Sequence, residues 1–191
     1  MGNGILIIIS GPSAVGKTSV TEAILAMDPR ISRIITTTTR KMRSSEKPGV
    51  DYYFISHGEF TTQIALDKFA EYAEVYGNYY GVWRREVDEK SRSGKCALLT
   101  MNPDGFFQLR RTMANGVGFF LLPPTMKDLE LRMRKRNTDS EETIQRRIKM
   151  AEHEICQSKD FDYRIENHDV ATTAAQILKI TGKLLMNREH F

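Results

Sequence analysis

Long apolar segments and cysteines are scarce in this chain of 191 residues. The longest apolar run covers residues 5–9 and is far shorter than the roughly 20 residues that cross a bilayer. No basic flank or small-residue cleavage site of a signal peptide accompanies it. The two cysteines, Cys96 and Cys156, lack metal-ligand spacing, so we expect buried or incidental thiols rather than a disulfide or a zinc site. These features predict a cytoplasmic protein that does not associate with membranes.

Internal repeats, low-complexity tracts and long Pro/Gly linkers are also missing, so we expect one domain over residues 1–191. The formal net charge is +4 and the pI is about 9.1. The basic residues are not spread evenly, and two groups of them lie at 40–43 and 132–149. Clusters of arginine suit a polyphosphate as well as a nucleic-acid backbone, so charge alone does not separate these partners.

Short apolar runs alternate with helical segments, a pattern typical of α/β folds with a mostly parallel sheet. Strands of this sheet are predicted at residues 5–9, 31–36, 97–101, 117–122 and 163–166, and the first helix at 17–27. The stretch between the second and third strands is too long for a crossover loop and predicts an inserted, small mixed α/β subdomain at 37–95. It includes short strands at 50–56 and 69–75 and helices near 59–66 and 84–93. Residues 125–155 read as two helices, and a last helix begins near Asp169.

Residues 11–18 fit the pattern G-x-x-x-x-G-K-[ST] at every fixed position, after an apolar strand and before an amphipathic helix. Glycines at both ends let successive backbone N–H groups point at phosphate oxygens, and the helix adds its positive N-terminal dipole. Lys17 can reach the β- and γ-phosphates, and Thr18 supplies a hydroxyl to Mg²⁺. The sequence therefore predicts a nucleoside triphosphate site that uses ATP and Mg²⁺. Its predicted residues are Gly11, Ser13, Ala14, Val15, Gly16, Lys17, Thr18 and Ser19.

A second set of polar residues lies in the predicted insertion. Residues 36–46 combine hydroxyls with Arg40 and Arg43, and a phosphate monoester is a natural partner for such arginines. Downstream, residues 69–72 add the carboxylate of Glu71, and residues 77–81 add further tyrosines. A monophosphate acceptor bound beside the triphosphate would use both features.

These residues resemble the guanylate kinase family over nearly the whole chain, most specifically in T-T-R-x-x-R-x-x-E, D-Y-x-F and G-N-Y-Y-G. The resemblance implies a P-loop three-layer fold with a central parallel sheet of about five strands, and transfer of the γ-phosphoryl group of MgATP to GMP or dGMP. It assigns the GMP phosphate to Arg40 and Arg43, helped by Tyr52 and Tyr80, with Glu46 setting the arginines. It assigns the N1 and N2 hydrogens of guanine to Glu71, and O6 to Thr36. Guanine offers two adjacent N–H donors to a carboxylate, whereas adenine would leave that carboxylate unpaired.

The same resemblance makes residues 125–155 a helical lid that closes over ATP with Arg132, Arg136 and Arg147. Guanidinium groups brought in by closure would stabilise the charge of the transferring phosphoryl group and exclude water. We count Lys17 and Arg40 with these three as the catalytic residues. Asn167 matches a family position near the adenine.

Three positions depart from the family pattern. Thr100 stands in place of an aspartate near the metal site, and Asn102 in place of an aspartate that helps Glu71 read guanine. Asn102 keeps an acceptor oxygen but loses the charge, and Asp104 is a candidate to compensate. Val82 replaces a hydroxyl that bonds O6. These departures predict weaker recognition of GMP than in other members, with GMP still preferred.

Three alternatives remain at this point: a kinase of the same fold with a relaxed or different phosphate acceptor, a non-catalytic guanylate kinase-like interaction domain, and a nucleic-acid-binding ATPase. The intact Lys17 and Thr18 argue against the second, and the acceptor residues against the third. We expect ATP and a small-molecule acceptor as the partners, no nucleic acid, and a monomer or homodimer.

Overall fold

The computed structural model describes residues 4–44, 46–75, 77–93, 95–112, 116–135 and 140–188. Within these ranges the strands are β1 (Leu6–Ser10), β2 (Ser32–Arg33), β3 (Thr37–Thr38), β4 (Tyr53–Phe54), β5 (Phe69–Val75), β6 (Asn78–Trp83), β7 (Ala97–Thr100), β8 (Gly116–Leu122) and β9 (Tyr163–Glu166). The α-helices are α1 (Lys17–Met27), α2 (His57–Ala65), α3 (Arg84–Arg92), α4 (Pro103–Thr112), α5 (Met126–Lys135), α6 (Glu141–Gln157) and α7 (Val170–Arg188).

The main sheet has five parallel strands in the order β2-β7-β1-β8-β9. Strand β1 is central, and its five residues are all buried. Because side chains alternate along a strand, Ile7 and Ile9 point to one face and Leu6 and Ile8 to the other. The first pair joins a core cluster with α1, α5, α6 and α7, and the second joins a cluster with α3 and α4. Helices thus cover both faces, which confirms the predicted three-layer α/β fold.

A second, mixed sheet has the order β4-β3-β6-β5 and carries α2 at its side. Strand β3 pairs parallel with β4 and antiparallel with β6, and β5 pairs antiparallel with β6. The sequence predicted β5 and placed β4 within a longer strand. Strands β3 and β6 were not predicted, because their threonines and tyrosines were read as ligand contacts. All four strands lie inside the predicted insertion at 37–95.

Helices α5 and α6 occupy the segment predicted to be a helical lid. Helix α6 begins after Ser140, whose side chain accepts a hydrogen bond from the backbone N–H of Thr143. Helix α4 was not predicted from the sequence. Both cysteines are free thiols, and Cys156 is exposed rather than buried. Over the described ranges, no helix has the length and apolar character to cross a membrane.

Candidate active site

The phosphate loop joins the carboxyl end of β1 to the first turn of α1. Its backbone is left-handed at Gly11 (φ 137°), Ala14 (φ 65°) and Gly16 (φ 106°). A Cβ at Gly11 would lie 2.5 Å from the carbonyl oxygen of Leu121, and one at Gly16 would lie 2.4 Å from Nδ2 of Asn167. Both glycines are therefore required by conformation and by space. This geometry curls the loop around a concave set of backbone amides at a helix N-terminus, which is an anion site.

Lys17 and Thr18 open helix α1 at the mouth of this loop. The ammonium group of Lys17 donates to the carbonyl oxygens of Gly11 and Pro12, the latter at 2.9 Å. A lysine held against the loop by these two carbonyls needs only a side-chain rotation to reach a phosphate bound there. Thr18 and Ser19 are exposed, so their hydroxyls are accessible from solvent.

One cleft brings the phosphate loop together with the predicted acceptor residues. From the loop side it is lined by Gly11, Ser13, Ala14, Gly16, Lys17 and Thr18. From the second sheet and the neighbouring turns it is lined by Thr36, Arg40, Arg43, Tyr52, Glu71, Ala73, Val75 and Tyr80. Thr100, Met101, Asn102, Arg147 and Glu154 complete the lining. The phosphate loop and the acceptor residues, which were inferred separately from the sequence, thus face each other across one cavity.

Arg40 and Glu46 form the main ion pair of this cleft. Two guanidinium nitrogens of Arg40 donate to the carboxylate oxygens of Glu46, at 2.6 and 3.1 Å, and the backbone N–H of Arg43 donates to Glu46 at 2.8 Å. Burial raises the pKa of Glu46, but the hydrogen bonds from Arg40 and Arg43 outweigh it and leave this pKa below its ordinary value. Burial lowers the pKa of Arg40, and hydrogen bonds with Glu46 and Tyr80 raise it further than burial lowers it. Both groups are therefore charged, and Glu46 holds Arg40 in place.

Aromatic rings close this end of the cleft around the arginine. The guanidinium carbon of Arg40 lies 5.4 Å from the centroid of the Tyr52 ring, within cation–π range. Tyr52 and Tyr80 meet edge to face at 6.1 Å. Burial raises the pKa of Tyr52, so its hydroxyl stays protonated and can donate to an anion. Two phenols and two guanidiniums in one corner form a site suited to a phosphate monoester.

Glu71 lies on β5 with only 6% of its surface exposed. Its Oε2 atom has no hydrogen-bond partner among the described residues. Burial raises the pKa of this carboxyl to about 8. An unpaired carboxyl that is buried costs free energy unless something binds it, so a ligand with N–H donors is its natural complement.

Asn102 follows β7 and caps the unpredicted helix α4. Its Oδ1 atom accepts a hydrogen bond from the backbone N–H of Gly105 at 3.0 Å. Asp104 does not take over a role in the cleft, because it is exposed and bonds Gln157 at 3.5 Å. The hydroxyl of Thr100 bonds that of the buried Thr21 at 3.1 Å.

Val82, the third departure, is fully buried in the core cluster beneath α3 and α4. Its side chain is part of the hydrophobic packing, so an apolar residue is stabilised at this position.

Two of the predicted lid arginines, Arg132 and Arg147, lie on opposite sides of the phosphate loop. Arg147, on α6, lines the cleft that contains Lys17 and Glu71. Arg132, on α5, donates to the carbonyl oxygens of Val15 at 3.2 Å and Asn167 at 3.1 Å. Arg136 lies outside the described residues.

A second cleft lies on the outer side of the phosphate loop. It is lined by Ala14, Gly16, Ser19, Arg132, Lys135, Asn167, His168 and Val170. Asn167 is buried, donates to the carbonyl oxygen of Val15 at 2.8 Å and accepts from the hydroxyl of Thr173 at 3.0 Å. Asn167 therefore ties the phosphate loop to the start of α7 at the floor of this cleft, a structural task that the sequence did not reveal.

Glu154 is a cleft residue that the sequence reasoning missed. It lies on α6 seven residues after Arg147, hence two turns along the same helix face. Burial raises its pKa, while the neighbouring charge of Lys17 acts in the opposite direction. That spacing from Arg147 was the one available signal, because a residue on the same helix face as Arg147 also faces the cleft.

Comparison with known proteins shows the family to which this chain belongs. The family model described as guanylate kinase matches residues 3–183. The chain belongs to the guanylate kinase family. It is 42% identical to a guanylate kinase of Carboxydothermus hydrogenoformans over 172 residues, covering 90% of this chain and 84% of that relative. It is 39% identical to a guanylate kinase of Methylococcus capsulatus over 191 residues, covering 99% and 94% of the two chains.

Solved structures agree with this family membership. The crystal structure of guanylate kinase from Anaplasma phagocytophilum superimposes with a TM-score of 0.80 at 31% identity, covering 96% of this chain and 87% of that one. A gluconokinase from Sinorhizobium meliloti matches with a TM-score of 0.56 at 14% identity, covering 100% and 98%. The second likeness shows the fold alone. The predicted resemblance to guanylate kinases is thereby confirmed.

Proposed function

We propose that this protein catalyses reversible transfer of the γ-phosphoryl group of MgATP to GMP or dGMP, giving ADP and GDP or dGDP. The observation that carries the proposal is the position of Glu71, a buried carboxyl without a partner among the described residues, in the same cleft as Lys17 and Thr18. A phosphate loop alone is compatible with many reactions. A purine-reading carboxyl facing that loop is specific to a nucleotide acceptor.

The acceptor monophosphate would bind with its phosphate in the corner formed by Arg40, Arg43, Tyr52 and Tyr80. Arg40 is charged and fixed by Glu46, so its remaining donors are preorganised for a dianion. The base would extend toward Glu71, whose two oxygens would accept the N1 and N2 hydrogens of guanine. The hydroxyl of Thr36, which also lines the cleft, would serve O6.

The donor phosphates fit the loop between Gly11 and Thr18. A Cβ added at Gly11 or at Gly16 would collide with neighbouring atoms. The adenosine would then occupy the outer cleft floored by Asn167 and bordered by Arg132. Thr18 offers a hard hydroxyl oxygen for Mg²⁺, which commonly takes few protein ligands and completes its shell with phosphates and water. When held by Thr18, Mg²⁺ would supply positive charge that neutralises the phosphates.

Catalysis in this arrangement requires no covalent nucleophile. A phosphate oxygen of GMP, already ionised, forms the new bond to the γ-phosphorus while the bond to ADP breaks and ADP keeps the electron pair. Lys17 and Arg40 would hold the two phosphates in line. Closure of residues 125–155 would bring Arg132, Arg136 and Arg147 onto the transferring group and exclude water. We expect this enzyme to work in the cytoplasm as a monomer or homodimer.

A coupled assay for ADP production tests the proposal, with MgATP and GMP, dGMP, IMP, AMP, CMP or UMP offered separately. We expect turnover that favours GMP over AMP, CMP and UMP, and loss of turnover in a Lys17→Ala variant. Folded protein that binds ATP yet phosphorylates no monophosphate would refute the proposed function.

A further inference from the structure

Glu154 lines the cleft but has no task in the proposed reaction. The other carboxyl among the lining residues, Glu71, is assigned to the base. The side chain of Glu154 is half-buried on α6, and among the described residues no hydrogen bond or ion pair reaches its carboxyl group. A carboxylate in such a place costs free energy unless a cation or a donor compensates it, so its charged neighbours indicate what it serves.

Lys17 is the neighbour whose charge acts most strongly on this carboxyl. Burial raises the pKa of Glu154, and the charge of Lys17 acts against burial and lowers it. Two other charges act more weakly on the same pKa: Asp104, at the start of α4, raises it, and the exposed His153 lowers it. Lys17 and Glu154 therefore attract each other across the cleft, although no hydrogen bond joins them.

The position of Lys17 gives this attraction a direction. Its ammonium group donates to the carbonyl oxygens of Gly11 and Pro12, the latter at 2.9 Å, so it lies against the loop backbone. To reach a γ-phosphate, the ammonium group has to exchange these carbonyls for phosphate oxygens in the cleft. Glu154 lines this cleft and is not among the residues of the outer cleft, so its charge lies on the side toward which Lys17 has to move.

We propose that Glu154 is a positioning residue for Lys17, whose ammonium group it attracts away from the loop carbonyls and into the cleft. This inference rests on the proposed function, in which Lys17 holds the donor phosphates. Glu154 forms no bond with the reacting atoms, so the balance of the phosphoryl transfer is unchanged. Arg147 lies two turns earlier on the same face of α6. Movement of this helix toward the loop would therefore bring both charges to the site together.

Glu154→Gln tests the inference, because it removes the charge and keeps the shape of the side chain. The measurements are kcat for GMP and the Kd of ADP, in mildly alkaline buffer so that the parent carboxyl is ionised. We expect kcat to fall about three- to tenfold. The Kd of ADP should not rise, because the loop amides remain and a charge that repels phosphates is gone. Glu154→Asp keeps the charge and should recover part of the lost kcat.

A double-mutant cycle with Lys17→Ala shows whether Glu154 acts through Lys17. In the Lys17→Ala protein, Glu154→Gln should change the remaining kcat by less than about twofold. Glu152→Gln is the matched control, because it removes the same charge from an exposed position on the same helix. It should leave kcat unchanged.

Two results overturn this inference alone in a parent protein that phosphorylates GMP. One is a kcat that Glu154→Gln does not lower, or lowers only together with a higher Kd for ADP. The other is an equal loss of kcat with and without Lys17. Absence of turnover with every monophosphate in the parent protein overturns the proposed function and this inference with it.

Discussion

Binding of GMP should release a proton from Glu71. Burial holds the pKa of this carboxyl at about 8 in the ligand-free protein, so at pH 7 roughly nine-tenths of the molecules carry the proton there. Two N–H donors of guanine stabilise the ionised form and lower the pKa of the bound carboxyl well below 7. Close to one proton should therefore leave for each GMP bound at neutral pH.

The same linkage fixes how GMP affinity depends on pH. The free carboxyl is protonated below its pKa of about 8, and binding requires the ionised form. Each unit of pH below about 8 therefore weakens binding up to about tenfold, and the dependence levels off above that value. An ordinary surface glutamate in a salt bridge has the same sign of pH dependence but at acidic pH, because its proton is already lost at neutral pH.

Isothermal titration calorimetry in two buffers of different ionisation enthalpy measures this proton release directly. The phosphate of GMP also loses part of a proton near Arg40 and Arg43, since its second pKa is about 6. Glu71→Gln separates the two sources, because the amide cannot ionise and only the phosphate contribution remains. Equal proton release by the parent and Glu71→Gln would refute the assignment of Glu71 as the base-reading carboxyl.

Three further substitutions test other parts of the site. Lys17→Ala should lower kcat by about 10²–10³ with little effect on the KM for GMP, as measured in the coupled assay, because Lys17 faces the donor phosphates. Gly105→Ala should raise the KM for GMP severalfold and leave that for ATP unchanged, because the added methyl would lie 2.8 Å from Oε2 of Glu71 and displace it. Asn167→Ala should lower the free energy of unfolding by about 1–3 kcal/mol in urea titrations, because it leaves the buried carbonyl oxygen of Val15 and the hydroxyl of Thr173 without these bonds. The exposed Asn187→Ala is its control, and an equal loss there would contradict this reason.

The phosphate loop was predictable because its information is local. Eight consecutive residues fix the turn, the two glycines and the helix start, so spacing alone specifies the geometry. The central strands were predictable for a similar reason, since a buried parallel strand reads as a short apolar run. Their bounds moved by only a few residues, although β2 shrank to Ser32–Arg33.

The acceptor side was less predictable because its geometry depends on tertiary contacts. Strand β6 is stabilised by its pairing with β3 and β5. Its own tyrosine-rich sequence does not predict that pairing. The hydrogen bond between Asn102 and Gly105 depends on helix α4, whose start at Pro103 was not predicted. Proline at the first helical position after an asparagine cap is nevertheless a regular helix start, so this signal was present and not used. Glu154 reaches the cleft only because α6 packs over it.

The sequence alone did not show whether the basic residues suit a polyphosphate or a nucleic-acid backbone. The positions of these residues in the structure bear on that choice. Several surface arginines pair with carboxylates, namely Arg30 with Asp28, Arg84 with Asp67, Arg110 with Asp162, Arg134 with Glu130 and Arg146 with Glu142. In contrast, Lys17, Arg40, Arg43 and Arg147 all line the one cleft, where Glu46 neutralises part of their charge. Positive charge that converges on a concave site at a helix N-terminus suits compact anions such as phosphates, whereas an extended nucleic-acid backbone requires a charged surface along its length. We therefore attribute the positive balance of the chain in part to the proposed site for two nucleotides, in which Arg132 from the outer cleft joins these four basic residues.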